Sequence, residues 1–272
     1  MKELYSVCWN ITNKCNENCK FCYRKISKDN TLENNIKIYN SISNIKINKI
    51  TFAGGEPLLY DKLFDLVDYI KKNNPNIILS ITTNGKIINE DIIDEIIKRF
   101  DWITFSIDSS DNTTNEEIGR GINHLPKIKR LLKKFNNKIN IKINTVVNKY
   151  NLEDLKNIYN IVTKYNIKRW KLFRFYPNRK GKINKNLFEI TDIQSKKIEA
   201  WIKKLNNQNK SIKIQYNDYD EIATSYFSIY PDGSVENKYN EVVGNLLTDS
   251  IQNILKAKEK ELQNHNLRKN YQ

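Results

Sequence analysis

Six short runs rich in β-branched and aromatic residues, each followed by a stretch with apolar residues at helical spacing, constrain this chain more than any other feature. The strands are read at 5–10, 49–53, 77–82, 102–107, 139–146 and 169–175, and the helices near 32–44, 58–73, 89–99, 124–134, 151–164 and 191–206. Strand and helix alternating in this way give parallel strands joined by right-handed crossovers. Six such units predict an α/β fold, a partial (β/α)6 TIM-like barrel whose functional end is the C-terminal end of its strands. No linker rich in Pro, Gly or Ser interrupts the pattern. The reading is a barrel over 1–210 and a short C-terminal α/β extension over 211–272 that closes the active site. In the extension Pro231-Asp232-Gly233 reads as a turn between two strands, and VVGNLLTDSIQNIL has helical spacing.

All four cysteines lie within the first 22 positions, and Cys15, Cys19 and Cys22 follow the first strand with the spacing C-x-x-x-C-x-x-C. Three thiolates leave one iron of a cubane cluster unligated, and that iron can bind the amino and carboxylate groups of S-adenosylmethionine and reduce it. The competing reading is a structural zinc site with Cys8 as fourth thiolate. Such sites draw on two separated Cys/His pairs, and no second pair exists here. A disulfide framework is unnecessary, because 272 residues bury a core without staples. Cys8 itself reads as a small apolar residue on the first strand. An exposed cluster needs a reducing compartment, so the expected location is the cytoplasm. No apolar run approaches the length of a membrane span, and the start lacks the pattern of a signal peptide.

The net charge of +15, from 46 Lys and Arg against 31 Asp and Glu, points to an anionic partner. Much of the excess is Lys mixed with Asn and Ile, which reads as a solvated face. The informative cations sit on strands. Lys142 with Asn144, and Arg169 with Lys171, are i, i+2 pairs that share a face. If that face is the barrel interior, a polyphosphate would satisfy the charges together; if it is the outer face, they are ordinary surface residues. After strand two, Gly54-Gly55-Glu56-Pro57 offers close backbone approach and acceptors suited to an ammonium group. After strand four, Ser106 and Asp108 alternate on one face and could hold ribose hydroxyls. Gly119-Arg120-Gly121 forms a turn from which Arg120 could reach a phosphate. A nucleic-acid-binding role ranks last, since the chain lacks an aromatic-basic recognition stripe.

The blocks KITFAGGEPLL, TNGKII, IDSSDNTTNEEIGRG, KINTVVNKYN, RWKLF and TSYF, in this order, resemble the radical S-adenosylmethionine superfamily, and in particular viperin and its prokaryotic relatives. The resemblance implies a lyase with a [4Fe–4S] cluster and S-adenosyl-L-methionine as cofactors. Such an enzyme takes the C4′ hydrogen atom from a nucleoside triphosphate and eliminates water. Its 3′-deoxy-3′,4′-didehydro nucleotide terminates viral RNA synthesis, an antiviral defence. Carried over, Cys15, Cys19 and Cys22 ligate the cluster; Tyr23, Gly54, Gly55, Glu56, Ser106 and Asp108 bind the cofactor. Lys49, Arg120, Lys142, Asn144, Arg169 and Lys171 line the substrate pocket. Tyr226 aligns with a tyrosine near the active site that could stack on the base or supply a hydrogen atom or proton; core packing is its alternative. An electron donor such as a flavodoxin or ferredoxin is implied.

The chain also departs from the viperin pattern. Cys8 and Asn10 replace an Asn and a His, Thr51 and Ala53 replace an Asn and a Ser, and Tyr23 replaces a Phe. Lost pocket hydrogen bonds alter discrimination, so another base or another small anion is open. The PDG and GNL segments are similar to the accessory region of peptide-maturing radical enzymes, without its extra cysteines. The alternative function is therefore modification of a ribosomal peptide or another small molecule. The lysines of the ending KAKEKELQNHNLRKNYQ could close over an anion.

Overall fold

The computed structural model describes residues 3–224 and 226–262. Ten strands form one sheet: β1 Glu3–Thr12, β2 Lys46–Gly54, β3 Ile78–Thr83, β4 Trp102–Ser106, β5 Asn140–Val147, β6 Ile167–Arg174, β7 Lys213–Asn217, β8 Phe227–Ile229, β9 Ser234–Glu236 and β10 Val242–Asn245. The helices are α1 Leu32–Ser43, α2 Leu63–Asn73, α3 Glu90–Arg99, α4 Asn112–Glu117, α5 His124–Phe135, α6 Leu155–Val162, α7 Lys180–Ile183, α8 Lys185–Phe188, α9 Asp192–Gln208, α10 Tyr219–Thr224 and α11 Ile251–Ala257.

The strand order is β10-β9-β8-β1-β2-β3-β4-β5-β6-β7. Strands β1 to β7 pair in parallel with their sequence neighbours, and β8 adds in parallel to the free edge of β1. This is the expected partial barrel. Its parallel array is extended at both edges, by β7 beside β6 and β8 beside β1, so the residues after 210 complete the same sheet. Asn10 secures that added edge by donating its side-chain amide to the Ile229 carbonyl.

Alternation along the strands separates two environments. Ile50, Phe52, Ile81, Ile103, Phe105, Ile141, Trp170 and Leu172 are fully buried among the helices. The opposite face carries Cys8, Lys49, Thr51, Thr104, Lys142, Asn144, Arg169 and Lys171, mostly half-buried. The helices supply apolar stripes such as Leu63, Leu66, Val67 and Ile70 of α2. Several start on a side-chain cap, among them Thr31 before α1, Asn89 before α3, and a full capping box of Thr191 with Gln194 before α9. Each such cap contributes about 1 kcal/mol.

Two expectations for the extension change. The VVGN part of the predicted helical stretch is strand β10, paired antiparallel with β9, because the Asp232-Gly233 turn presents an edge to it; only Ile251–Ala257 is helical. Of the described tail lysines Lys256 and Lys260 are exposed, whereas Lys258 is engaged with the protein. It is 3% exposed and its Nζ donates to the Glu236 carbonyl at 2.5 Å and pairs with Glu261. The remainder of that predicted closing tail, 263–272, lies outside the described residues. Among the described residues no helix is long and apolar enough to cross a membrane.

Candidate active site

The loop of the three cysteines leaves the C-terminal end of β1 and is fastened on several sides. Gly55 and Glu56, at the end of β2, donate their backbone N–H groups to the carbonyls of Thr12 and Lys14 at 2.8 and 2.7 Å. Only glycine permits this approach: a Cβ on Gly55 would lie 2.1 Å from the Lys14 oxygen, and one on Gly54, at φ +132°, 2.5 Å from that of Thr12. Asp29 accepts from the Thr12 hydroxyl and the Asn13 N–H, and Asn84 donates to Asn16 at 2.6 Å. From the other side Asn18 and Lys20 donate to the carbonyls of Gly119 and Ile118. Phe21 packs against Phe188 in a satellite core with Phe175 and Ile118.

Glu56, read as a cofactor-binding residue, is held by protein donors at the end of β2. It is fully buried; Oε1 accepts from the Thr83 hydroxyl at 2.7 Å and the Leu58 N–H at 3.3 Å, and Oε2 from the Asn84 N–H at 2.7 Å. Its carboxylate ties the ends of β2 and β3 together instead of projecting as an exposed acceptor. Burial pushes its pKa up to about 7, against the pull of the Asn84 and Thr83 hydrogen bonds.

Arg120 and Asp108, read separately as phosphate and ribose ligands, are brought together. Asp108 Oδ2 accepts from Arg120 Nε and Nη2 at 2.8 and 2.7 Å, and Oδ1 accepts from the Val146 N–H. Arg120 Nη1 donates at 2.7 Å to Glu17, inside the cysteine loop, and the guanidinium lies over the Phe21 ring. His124 donates through Nε2 to the Ser106 carbonyl at 2.8 Å, with Nδ1 3.3 Å from Glu17. Burial alone would raise the pKa of Glu17, but the neighbouring His124 and the Arg120 charge outweigh it and hold it at about 2. Glu17 and His124 escaped the sequence reading. The available signals were a carboxylate lodged between two cysteines and, far along the chain, one of only two histidines.

The inward face of the sheet gathers the basic positions. Register places Lys142 beside Arg169 and Asn144 beside Lys171. Trp102 lies between Lys49 and Arg169, whose charged groups are 4.9 and 5.7 Å from its ring centre. Lys171, only 5% exposed, donates to the Tyr226 hydroxyl at 2.6 Å. Asn144 Oδ1 is buried with no hydrogen-bond partner among the described residues, an acceptor that calls for a ligand. Tyr23 is 61% exposed.

The cysteine loop suits an iron–sulfur cluster. All three thiols are free of disulfides. Three thiols on one loop match the ligand count of a cubane with one open iron, whereas a structural zinc ion would draw on a fourth donor. Burial pushes the Cys19 thiol up to about 12, partly offset by Arg120, and raises that of Cys15. Ligation therefore has to displace these protons.

A parallel β/α array with a three-thiol loop at the carboxyl ends of its strands defines an iron–sulfur protein of the partial-barrel class. The Radical SAM superfamily model matches residues 9–162, and the chain belongs to that superfamily, with S-adenosylmethionine and a [4Fe–4S] cluster as its cofactors. Among its viperin-like members, the S-adenosylmethionine-dependent nucleotide dehydratase of Flammeovirga pacifica is 30% identical over 254 residues, covering 86% of this chain and 83% of that one. The protein of the same name from Lacinutrix mariniflava is 32% identical over 249 residues; this chain spans 50% of its length. In fold the chain is similar to Streptococcus suis SuiB bound to S-adenosylmethionine (TM-score 0.75, 15% identity, 93% of this chain and 65% of that one). It is also similar to anSMEcpe with bound AdoMet (TM-score 0.67, 18% identity, 95% and 84%).

Proposed function

We propose that this chain is a nucleotide dehydratase acting on a nucleoside triphosphate. The sugar loses the C4′ hydrogen atom and the 3′-hydroxyl; one proton and one electron enter, so that water leaves and a C3′–C4′ double bond remains. Support comes chiefly from one observation: a row of cations on the inward face of a barrel whose mouth carries the three-thiol loop. The names of the relatives point the same way.

The residues divide by height in the barrel. When bound, the cluster and S-adenosylmethionine supply a one-electron bond cleavage able to remove an unactivated hydrogen atom. Cys15, Cys19 and Cys22 would hold the cluster; Gly54, Gly55 and Glu56 would hold the methionine part of S-adenosylmethionine, and Arg120 with Asp108 braces the cysteine loop. Ser106 and Tyr23 border the cofactor. Lys49, Lys142, Asn144, Arg169 and Lys171 orient the polyphosphate so that one sugar carbon faces the cofactor, a positional effect of large kinetic weight. Tyr226, whose oxygen accepts from Lys171, would be the proton donor to the leaving hydroxyl, with the ammonium able to resupply the proton. The electron comes from a flavodoxin- or ferredoxin-like donor, in a reducing compartment such as the cytoplasm.

The test is anaerobic turnover of reconstituted protein with S-adenosylmethionine, dithionite and CTP, UTP, GTP or ATP, read by mass spectrometry. One nucleotide lighter by a water, with stoichiometric 5′-deoxyadenosine, is the expected result. Equal, slow 5′-deoxyadenosine formation with all four and no dehydration would refute it and turn attention to peptides and other small molecules. Cys19→Ala should lose the brown chromophore; retention of iron and sulfide would contradict the ligand set.

A further inference from the structure

Helices α7 and α8 form a cap over the cysteine loop. Lys180 donates to the Asn18 carbonyl at 3.2 Å, the Gly181 N–H to that of Cys22 at 3.2 Å, and the Asn184 side-chain amide to that of Lys20 at 2.8 Å. Under the cap Phe188 packs against Phe21 and Phe175. Its solvent side carries apolar groups: Ile183 is 86% exposed and Leu187 is exposed, as is Ile26 just beyond Cys22. Large apolar side chains gathered in one region, instead of scattered singly, mark a contact surface. Exposed lysines accompany them. Lys20 stands between Cys19 and Cys22, and Lys182 and Lys185 lie on the cap, Lys185 also pairing with Glu189 at 3.5 Å. The exposed acids Glu116 and Glu117 of α4 lie at the margin, next to Ile118, whose carbonyl accepts from the Lys20 N–H.

We infer that this cap, with Lys20 and Ile26 of the loop, is the docking surface for a small acidic flavodoxin. Cleavage of S-adenosylmethionine consumes an electron that has to cross the protein surface to the cluster, and the cap is bonded to the backbone of the loop that carries the cluster ligands. Apolar side chains with a charged rim have the anatomy of a protein interface. Ile183 and Leu187 suit the apolar dimethylbenzene edge of a flavin, and the lysines suit carboxylates around it, which steer the encounter. In the complex the reduced flavin gives up one electron and the oxidised cluster accepts it, with no bond made or broken in either protein. The inference rests on the electron-donor part of the proposed function and is independent of the nucleotide.

The probe is reduced flavodoxin, compared with dithionite, each driving 5′-deoxyadenosine formation by the reconstituted protein with S-adenosylmethionine and no nucleotide; flavodoxin affinity is measured alongside. Lys182→Glu with Lys185→Glu should weaken flavodoxin binding and slow the flavodoxin-driven rate about tenfold, leaving the dithionite-driven rate unchanged. Ile183→Asp should act in the same direction, and Lys182→Arg with Lys185→Arg should retain the parent rate. The flavodoxin-driven rate of the parent chain should fall with added salt. Lys72→Glu with Lys133→Glu, the same charge change in the last turns of α2 and α5 at the opposite end of the barrel, is the control and should have little effect. If the cap variants behave like this control, the docking surface is wrong. If they slow the dithionite-driven rate equally, the cap supports the loop and does not dock a partner. A parent chain that forms 5′-deoxyadenosine with dithionite but not with flavodoxin would overturn the donor assignment and leave the dehydratase reading standing.

Discussion

Two buried carboxylates around the cysteine loop have their titrations moved in opposite directions, and the consequences differ in sign. Glu56, at about 7 when folded against 4.5 for the free side chain, binds a proton in the folded state over the window between those values. Its contribution to stability therefore falls as pH rises from about 4.5 to about 7. Glu56→Gln should flatten the pH dependence of the urea-unfolding free energy across that window; an unchanged slope would show that the carboxyl is ionised throughout. Glu17, held at about 2, stabilises fully above about 4.5 and loses that contribution as pH falls toward 2. Arg120→Ala would leave Asp108 without its cation and Glu17 with only Lys86 and His124 beside it, at a cost of about 3–5 kcal/mol. Arg120→Lys cannot reproduce the guanidinium fork that spans both acids. Thermal unfolding of the apo protein should rank Ala below Lys and Lys below the parent chain.

At the scale of elements, the ends of parallel strands are stitched by residues within the blocks that carry the family resemblance. Thr145 donates to the Ile107 carbonyl and accepts from the Trp170 indole; Asn151 donates to the carbonyls of Asp108 and Val146. Those residues belong to the KINTVVNKYN and IDSSDN blocks, so part of what made these blocks recognisable is framework. Asp154 likewise gathers Ser109 and Ser110. The junction of β2 with the cysteine loop is the tightest of these stitches. Gly55→Ala should leave far-UV circular dichroism nearly unchanged but sharply reduce iron and sulfide incorporation, because the Lys14 carbonyl must move and the loop with it. Normal cluster loading in that variant would show that the loop tolerates displacement.

Across the whole molecule, the partial barrel brings to one hollow cations from β2, β5, β6 and β7 that are up to 164 residues apart, as Lys49 and Lys213 are. The double variant Lys142→Ala, Lys171→Ala should abolish nucleotide binding while uncoupled cleavage of S-adenosylmethionine persists, since the cysteine loop is fastened by other residues. Nucleotide affinity in the parent chain should also fall steeply with added salt. Retained binding in the double variant would place the phosphates elsewhere.

The alternation of apolar and polar residues along the strands, the cysteine spacing and the cation pairs were legible in the sequence because each is a local periodicity: two for strands, 3.6 for helices, fixed short intervals for ligands. Six strands and the helices between them fell close to their observed bounds for that reason. What the sequence could not show was pairing between distant segments. That Arg120 meets Asp108 and Glu17, that Glu56 turns inward to Thr83 and Asn84, that Lys171 reaches Tyr226, and that β7 and β8 take opposite edges of one sheet all depend on register and crossover. Residue type and spacing determined which chemistry the chain could carry. The tertiary structure decided which of those residues face one another, because only packing sets the distances over which charge and hydrogen bonding act.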